Sequence, residues 1–385
     1  MPRIISPAIS IASYKYERRF QRMVDDLISY LKTMEIRLLF LLCICAFALS
    51  FTAMAQKPTP TPVPTPSPND VVDDGDVVRV TSNLVVVPVS VLDKAGQPIK
   101  GLQIADFQLE ENGRKQEITQ IGDPDDVPLE IALLIDVSSS VDSRFEFEKQ
   151  AASRFLKEIL KPTDRATIFV VDKQPKQIQT LESVDKAIEK LLSVKPSKSY
   201  TAFYDTVTEA VRYLAKNTPS NHRRIIVVIS DGDDTAKILE TALSSNVDLF
   251  ELTKEEVLKE LKKAQEKALT KAQDETMKEV QKADASFYSI NPSGDIMHLN
   301  ARAARSQKSM EIIAEITGGT SFLPKTDTDL DAVFRQISAE LRGQYLLQYY
   351  SGDESPEGKY IKIKVGVPNN STVRVRSRSG YYKKQ

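Results

Sequence analysis

The residues best suited to chemistry stand in LLIDVSSS, residues 133–140 of this 385-residue chain. An apolar run typical of a buried parallel strand ends in Asp136, and the hydroxyls of Ser138 and Ser140 follow at alternating positions. Open α/β sheets bind their ligands just beyond the carboxyl ends of their strands. We therefore expect these three side chains to contribute to a site as well as to the end of a core strand.

Two further polar residues fall in comparable places. Thr201 lies in the loop of SKSYTAFYD, and Asp231 follows the apolar run in VVISDGDD. D-x-S-x-S by itself arises by chance in about one chain in ten of this length at average residue frequencies. The combination with Thr201 and Asp231 is far more specific, and it is this combination that predicts a site.

The middle of the chain, residues 129–342, must position these residues. It alternates short apolar runs with amphipathic segments, which predicts a doubly wound, mostly parallel α/β sheet. The predicted strands are EIALLID, ATIFVVD, RIIVVIS and ASFYSIN, and the predicted helices are FEFEKQAASRFLKEIL, VDKAIEKLL, FYDTVTEAVRYLAK, SMEIIAEIT and LDAVFRQISAEL.

Both flanks of this middle region have the two-residue period of strands. Residues 76–128 include VVRVTSNLVVVPVSVLD and a hairpin signal at Asn112-Gly113. Residues 343–385 include GQYLLQYY, YIKIKVGV and TVRVRSRSGYY. Neither flank is large enough for a full sandwich. We therefore predict that the two flanks pair in one small antiparallel β-sandwich, with the middle region inserted between them.

One predicted helix is unusually long. Residues 253–283 open with a capping box of Thr253 and Glu256, and their Ala/Lys/Glu-rich sequence carries a narrow apolar stripe. A helix of about 30 residues is far above the usual 11–12. It is expected to project beyond the domain or to pack along one edge. The charge pattern favours a solvated elongated helix over an arm that binds a partner.

The N-terminal residues 1–55 have the pattern of an extension followed by a secretory signal peptide. Met34 is the predicted start, and an apolar run leads to an A-x-A motif with cleavage after Ala55. The Pro/Thr-rich residues 56–75 are expected to form an extended linker. We therefore expect a periplasmic, cell-surface or secreted protein, attached to a membrane only through an uncleaved signal anchor.

Composition excludes several classes of function. The two cysteines, Cys43 and Cys45, lie within the signal segment, so the mature chain has no thiol nucleophile and needs no disulfide. The formal net charge of −1 gives no indication of a nucleic-acid partner. Neither a P-loop nor a G-x-G-x-x-G motif is present, so nucleotide binding has no support either.

DVSSS, YTAFYD and SDG together resemble the metal-ion-dependent adhesion site (MIDAS) of a von Willebrand factor type A (VWA) domain, over about residues 129–342. With the flanking β segments, the chain resembles the exported VWA-related proteins of acidobacteria. The long helix at 253–283 departs from that pattern, because the family has a much shorter helix there.

The resemblance implies a metal site that holds Mg²⁺, or Mn²⁺ or Ca²⁺, through oxygen atoms, as hard cations prefer. A donor set rich in neutral hydroxyls leaves the cation electrophilic toward one further oxygen, which in the family comes from a carboxylate of a bound protein. Asp233 and Asp234 are either outer-shell groups or solvated turn acids. The implied metal ligands are Asp136, Ser138, Ser140, Thr201 and Asp231.

The resemblance therefore implies a metal-dependent protein-binding module, and two alternatives compete with it. In the first, the metal only stabilises the fold. In the second, the protein is a metal-assisted or serine hydrolase, which would need a base beside Ser138 or Ser140. The chain has no G-x-S-x-G elbow, and its two histidines, His222 and His298, stand outside the motifs. No catalytic residue is therefore predicted.

Overall fold

The computed structural model describes residues 83–138, 145–197, 199–244, 253–294, 300–324 and 327–384. The predicted signal segment and linker, Ser140 of the predicted metal site, and His298 lie outside the described residues. The domain boundaries stated above remain predictions.

The central region forms a six-stranded sheet with helices on both faces. In spatial order its strands are β10, β9, β8, β5, β6 and β7, and all neighbours are parallel except β6 and β7. Its strands are β5 (Leu129–Asp136), β6 (Arg165–Val171), β7 (Pro175–Glu182), β8 (Arg223–Ile229), β9 (Ala285–Ile290) and β10 (Ser321–Phe322), numbered after β1–β4 of the N-terminal flank. Its helices are α1 (Phe145–Ile159), α2 (Val184–Ser193), α3 (Phe203–Asn217), α4 (Thr235–Ser244), α5 (Lys254–Lys282), α6 (Ala301–Ile316) and α7 (Asp327–Arg342).

Strand β5 shows why the sheet is covered on both sides. Every residue from Leu129 to Asp136 is buried. Ile131 and Leu133 pack toward the core shared with α1, α2 and α7, whereas Ala132 and Leu134 pack toward α3, α5 and α6. A strand buried on both faces needs a continuous apolar run rather than an alternating one, as the sequence has. The predicted doubly wound fold is confirmed.

The two flanks supply the strands of two four-stranded antiparallel sheets. Strand β1 lies between β11 and β13, and β12 lies between β14 and β2. The two sheets share one apolar core, in which the rings of Phe107 and Tyr345 lie 5.1 Å apart. The strands are β1 (Leu84–Leu92), β2 (Gln108–Glu111), β3 (Arg114–Gln116), β4 (Gln120–Gly122), β11 (Tyr345–Tyr350), β12 (Tyr360–Gly366), β13 (Arg374–Ser377) and β14 (Gly380–Tyr382).

The entry and exit of the central region meet at one buried carboxylate. Oδ1 of Asp164 accepts the N–H of Leu129, the first residue of β5, at 2.8 Å. Oδ2 of Asp164 accepts a hydrogen bond from Arg342, the last residue of α7. The start and the end of the inserted region are therefore held side by side, next to the flanking strands.

The long helix α5 packs along one edge of the central region. Thr253 and Glu256 form the predicted capping box, and the helix runs from Lys254 to Lys282. Ala272 and Val280 are buried in the core shared with α3 and α6. Towards its N-terminus, Gln265 donates to a carbonyl of α4, a helix that the sequence analysis did not predict. No helix among the described residues combines the length and the apolar character needed to span a membrane.

Candidate metal centre

Four of the five predicted ligands are among the described residues and lie at the carboxyl edge of the sheet. Asp136 is the last residue of β5, and Ser138 follows two residues later. Asp231 comes two residues after the end of β8, which pairs with β5 in parallel. Thr201 precedes α3 in the loop that follows α2. The structure thus places four of the five predicted ligands on three segments that end at the same edge; the fifth, Ser140, lies outside the described residues.

Asp136 is fully buried and is held by two hydrogen bonds. The hydroxyl of Ser230 donates to Oδ2 at 2.6 Å, and the backbone N–H of Ser138 donates to Oδ1 at 2.9 Å. Burial is the main cause that raises the pKa of Asp136 to about 6, while the hydrogen bonds oppose it and the charge of Asp231 adds to it. The carboxylate of Asp136 therefore carries a negative charge that the surrounding dipoles compensate only in part.

Ser230 is a residue of this site that the sequence analysis did not single out. Its hydroxyl donates to Asp136 and also accepts the N–H of Gly232 at 3.0 Å. The side chain is fully buried. Ser230 therefore fixes the turn that carries Asp231 against the end of β5. The available signal was a hydroxyl residue at the end of a buried strand, directly before the acid.

Hydrogen bonds of its own backbone N–H and C=O groups hold Thr201 in place. Its N–H donates to the hydroxyl of Thr235 at 2.7 Å, and its C=O accepts the N–H of Ala236 at 3.1 Å. The next N–H, of Ala202, donates to the carbonyl of Asp172 at the end of β6 at 2.8 Å. The Thr201 loop is thus joined both to the segment that carries Asp231 and to the sheet edge. Thr235 is a second positioning residue that sequence reasoning missed.

Gly232 allows the acidic turn to approach helix α6. Its φ of +74° lies in the left-handed region that favours glycine. A Cβ atom at this position would lie 2.9 Å from both Sδ and Cε of the buried Met310. The S-D-G sequence therefore has a steric reason for its glycine, independent of any ligand.

The two acids that follow have other partners. Asp233 forms a two-pronged ion pair with Arg302 of α6, with one N–O distance of 2.8 Å. Asp234 is buried, and its two oxygens accept the N–H of Tyr204 in α3 and the N–H of Lys237 in α4. Burial raises the pKa of Asp234 to about 6, and these two N–H groups oppose the shift. Their predicted outer-shell role stays a prediction, and Asp234 serves as a cap for two helix N-termini.

The donor set fits a hard divalent cation. The side chains at the site offer carboxylate and hydroxyl oxygens, which suit Mg²⁺, Mn²⁺ or Ca²⁺ better than softer metals. No lysine or arginine among the described residues forms an ion pair with Asp136, whose pKa the nearby Asp231 raises further. Within the described part of the chain there is no group of three or more His, Cys, Asp or Glu side chains that could hold a metal.

Residues 131–233 match the family model of the von Willebrand factor type A domain. This range contains all five predicted ligands. The match agrees with the von Willebrand factor type A domain predicted for the central region, whereas the relation to the acidobacterial proteins stays a prediction. No curated protein matches the chain.

Three solved structures are similar to the chain at low identity. BatB from Bacteroides thetaiotaomicron is 15% identical with a TM-score of 0.35, covering 55% of this chain and 97% of its own. The vWF domain of the type V pili tip protein Mfa5 from Porphyromonas gingivalis is 14% identical with a TM-score of 0.38, covering 55% and 94%. Proximal thread matrix protein 1 from the mussel byssus, with a zinc-occupied MIDAS motif, is 12% identical with a TM-score of 0.37, covering 59% and 48%. At these scores the similarities carry no argument about this chain.

Proposed function

We propose that this protein is an exported binding module that captures a protein partner through a divalent cation. The observation that carries the proposal is the joining of three segments at the carboxyl edge of the sheet. Ser230 ties the Asp231 turn to Asp136, and Thr235 ties the same segment to Thr201. The proposed ligands are Asp136, Ser138, Ser140, Thr201 and Asp231.

The chemistry of these donors suits capture of a carboxylate. Three of the five proposed ligands are neutral hydroxyls, which are weaker donors than carboxylates and would leave the cation electrophilic toward a further oxygen. When bound, such a cation would supply an electrophilic position for an oxygen of the partner. The expected recognition element is therefore an aspartate or glutamate on the surface of the partner protein.

A hydrolytic function has less support at this site. Ser138 lies beyond the carboxyl end of β5, whereas His222 lies directly before the amino end of β8. His222 hydrogen-bonds the buried Glu130 at 2.8 Å. These positions put His222 at the opposite edge of the sheet from Ser138, out of reach as its base. We therefore favour binding over catalysis.

Export rests on the sequence alone. The apolar segment with its A-x-A motif before Gln56, followed by a Pro/Thr-rich spacer, is typical of a secreted or surface-attached protein. Proteolytic mapping of the mature N-terminus in the producing cell tests this part, with cleavage after Ala55 as the expected result.

The proposal is tested by partner capture from envelope and culture-medium fractions. The full chain is expected to retain a partner in Mg²⁺ and to lose it in EDTA. Asp136→Ala and Ser138→Ala are expected to abolish capture, whereas Asp274→Ala, an exposed acid on α5, should leave it intact. Capture that is indifferent to EDTA and to both site variants would contradict the proposal.

A second candidate is a cation that only braces the fold. It is favoured by the burial of Asp136 and its bond to Ser230, since these already join β5 to the loop after β8. In that case Mg²⁺ raises the melting temperature, and Asp231→Ala removes this rise, but neither change affects partner capture. Melting curves and capture measured on the same variants separate the two candidates.

A further inference from the structure

A second cluster of charged side chains lies at the amino edge of the central sheet. A cavity of about 250 Å³ separates the first residues of β8 and β9 from strands β1 and β11 of the sandwich. Arg223, Arg224 and Arg378 line it, together with His222 and Asp284. The cavity thus joins the central sheet to the sandwich, at the end opposite the candidate metal centre.

The three arginines are buried, with exposed fractions of 7%, 7% and 8% for Arg223, Arg224 and Arg378. Arg223 donates to the carbonyl of Leu341 and to Gln344, and Arg224 donates to the carbonyls of Thr218 and Ala283. Within the described part of the chain, the Nε atom of each of the three arginines has no hydrogen-bond acceptor. Buried N–H donors without an acceptor are costly, so each guanidinium group that lines the cavity keeps a donor that a ligand reaching it could use.

The side chains that line the cavity carry more positive than negative charge. Asp284 is the only acid among the described residues that line it, and it pairs with Arg378. Burial lowers the pKa of both Arg223 and Arg378 to about 10. Lys384 lies close enough for the charges of Arg224 and Arg378 to add to the effect of burial in lowering its pKa. Behind the lining, the buried Glu130 lies near enough to Arg224 to oppose the lowering of its pKa. The lining itself still carries more positive than negative charge, which favours an anion.

The cavity continues into a cleft that gives access from the surface. The cleft, of about 440 Å³, shares Asp284 and Arg378 with the cavity and is lined further out by Lys282, Lys383 and Lys384. Lysines along the cleft would attract an anion toward the buried arginines. The lysines of the cleft would therefore guide an anion inward, and the arginines of the cavity would bind it.

We propose that this cavity binds a small oxyanion, a phosphate or carboxylate group, at Arg224 and Arg378. Both guanidinium groups flank the turn between α5 and β9, because Arg224 bonds Ala283 and Arg378 pairs with Asp284. Planar guanidinium groups bind phosphate and carboxylate oxygens in a two-pronged geometry. The bound group would contact the central sheet through Arg224 and the sandwich through Arg378.

The first test measures binding of inorganic phosphate, sulfate and acetate to the full chain by calorimetry, after metal has been removed with EDTA and the chelator, itself a polycarboxylate, has been dialysed away. We expect saturable binding of at least one of these anions and none of chloride at matched ionic strength. Preference for phosphate and sulfate over acetate would identify a phosphate-type ligand, and the reverse would identify a carboxylate.

Two variants are compared. Arg378→Met changes an arginine of the cavity, and Arg374→Met changes an exposed arginine of the neighbouring strand β13. Arg378→Met is expected to weaken oxyanion binding by at least about tenfold, whereas Arg374→Met should leave it unchanged. Equal affinity in both variants, or equal stabilisation by chloride, would overturn the proposal.

A second measurement does not depend on a variant that folds. Crystals of the unaltered chain soaked in selenate should show an anomalous peak between Arg224 and Arg378. A peak only at exposed lysines, or no peak at a concentration that saturates the calorimetric signal, would place the oxyanion elsewhere and refute the site.

Discussion

The two ends of strand β8 carry opposite charges. Strand β8 begins with Arg223 and Arg224 and is followed, at its other end, by Ser230 and Asp231. Between these ends its residues are apolar and buried. Along β8 the charge therefore changes from positive at the amino end to negative beyond the carboxyl end, and each end is expected to attract a ligand of the other sign: a cation at the carboxyl edge and an oxyanion at the amino edge.

Helix direction favours an acid beyond the carboxyl end of β8 and arginines at its amino end. At the carboxyl edge, Asp234 accepts N–H groups from the first turns of α3 and α4. At the amino edge, Arg224 donates to the carbonyls of Thr218 and Ala283, the C-terminal caps of α3 and α5. In a doubly wound fold the helices run antiparallel to the strands, so helix N-termini favour anions at one edge and C-termini favour cations at the other.

Among the changes considered, removal of the Asp231 carboxylate should have the largest effect on cation binding at the carboxyl edge. Asp231→Ala is expected to lower Mg²⁺ and Mn²⁺ affinity by more than about 100-fold, because it deletes one of the two carboxylates proposed to bind the cation. Titration calorimetry or Mn²⁺ paramagnetic resonance measures the loss. Asp274→Ala serves as the control. If Asp231→Ala binds the metal with the original affinity, Asp231 is not a ligand of the site.

Gly232→Ala should destabilise the carboxyl edge through sterics. We expect a loss of about 1–3 kcal/mol in the free energy of unfolding, since a left-handed φ and the contact with Met310 both oppose a Cβ atom. Gly113 has a φ of +78° but open space around it, so Gly113→Ala reports the backbone part alone, about 1 kcal/mol or less. If denaturant unfolding shows the same loss in free energy of unfolding for both variants, the side chain of Met310 moves away from the added Cβ atom without an energetic penalty.

Ser230→Ala should have a smaller effect on cation binding than Asp231→Ala. Loss of the hydroxyl that donates to Asp136 is expected to lower metal affinity by about tenfold, in the range for groups that orient a ligand. Ser230→Thr keeps a hydroxyl and should retain most of the affinity. If Ser230→Ala and Ser230→Thr bind the metal equally well, the hydroxyl of Ser230 does not position Asp136 for a cation.

The smallest expected effect is the influence of one edge on the other. A strand of seven residues spans roughly 23 Å, which exceeds the Debye length of about 8 Å at physiological salt. Arg378→Met should therefore leave Mg²⁺ affinity within about twofold of the original, and Asp231→Ala should do the same for phosphate. A larger cross-effect in calorimetry would show that the two edges are coupled through the sheet.

Elements with strong local signals could be predicted from the sequence. Apolar runs predicted strands β5 and β8, and the Thr253–Glu256 capping box predicted the start of helix α5. Asn112-Gly113 predicted the turn between β2 and β3, where both residues have positive φ. The edge strand β7 and helix α4 were missed. In β7 only Leu181 is buried, and no residue of α4 is, so neither element carries a clear apolar period.

The candidate site was predictable in part. The motif spacing indicated Asp136, Thr201 and Asp231, because family resemblance links distant segments that propensity alone does not. The roles of Ser230, Thr235 and Asp234 depend on hydrogen bonds between segments far apart in the chain, as does the arginine cavity. No local pattern in the sequence reports which distant carbonyls Arg223 and Arg224 will meet.

The junction at Asp164 has a consequence for the order in which the chain folds. Strand β1 pairs with β11, with Leu84 opposite Tyr350, so its partner is synthesised only after the whole central region. Contacts so distant in sequence normally form slowly, because a long loop must first be closed. A central region that folds first and locks Leu129 beside Arg342 through Asp164 would shorten that loop. Until then the valines of β1 remain exposed, and nascent chains that stop before β11 would be prone to aggregate through this strand.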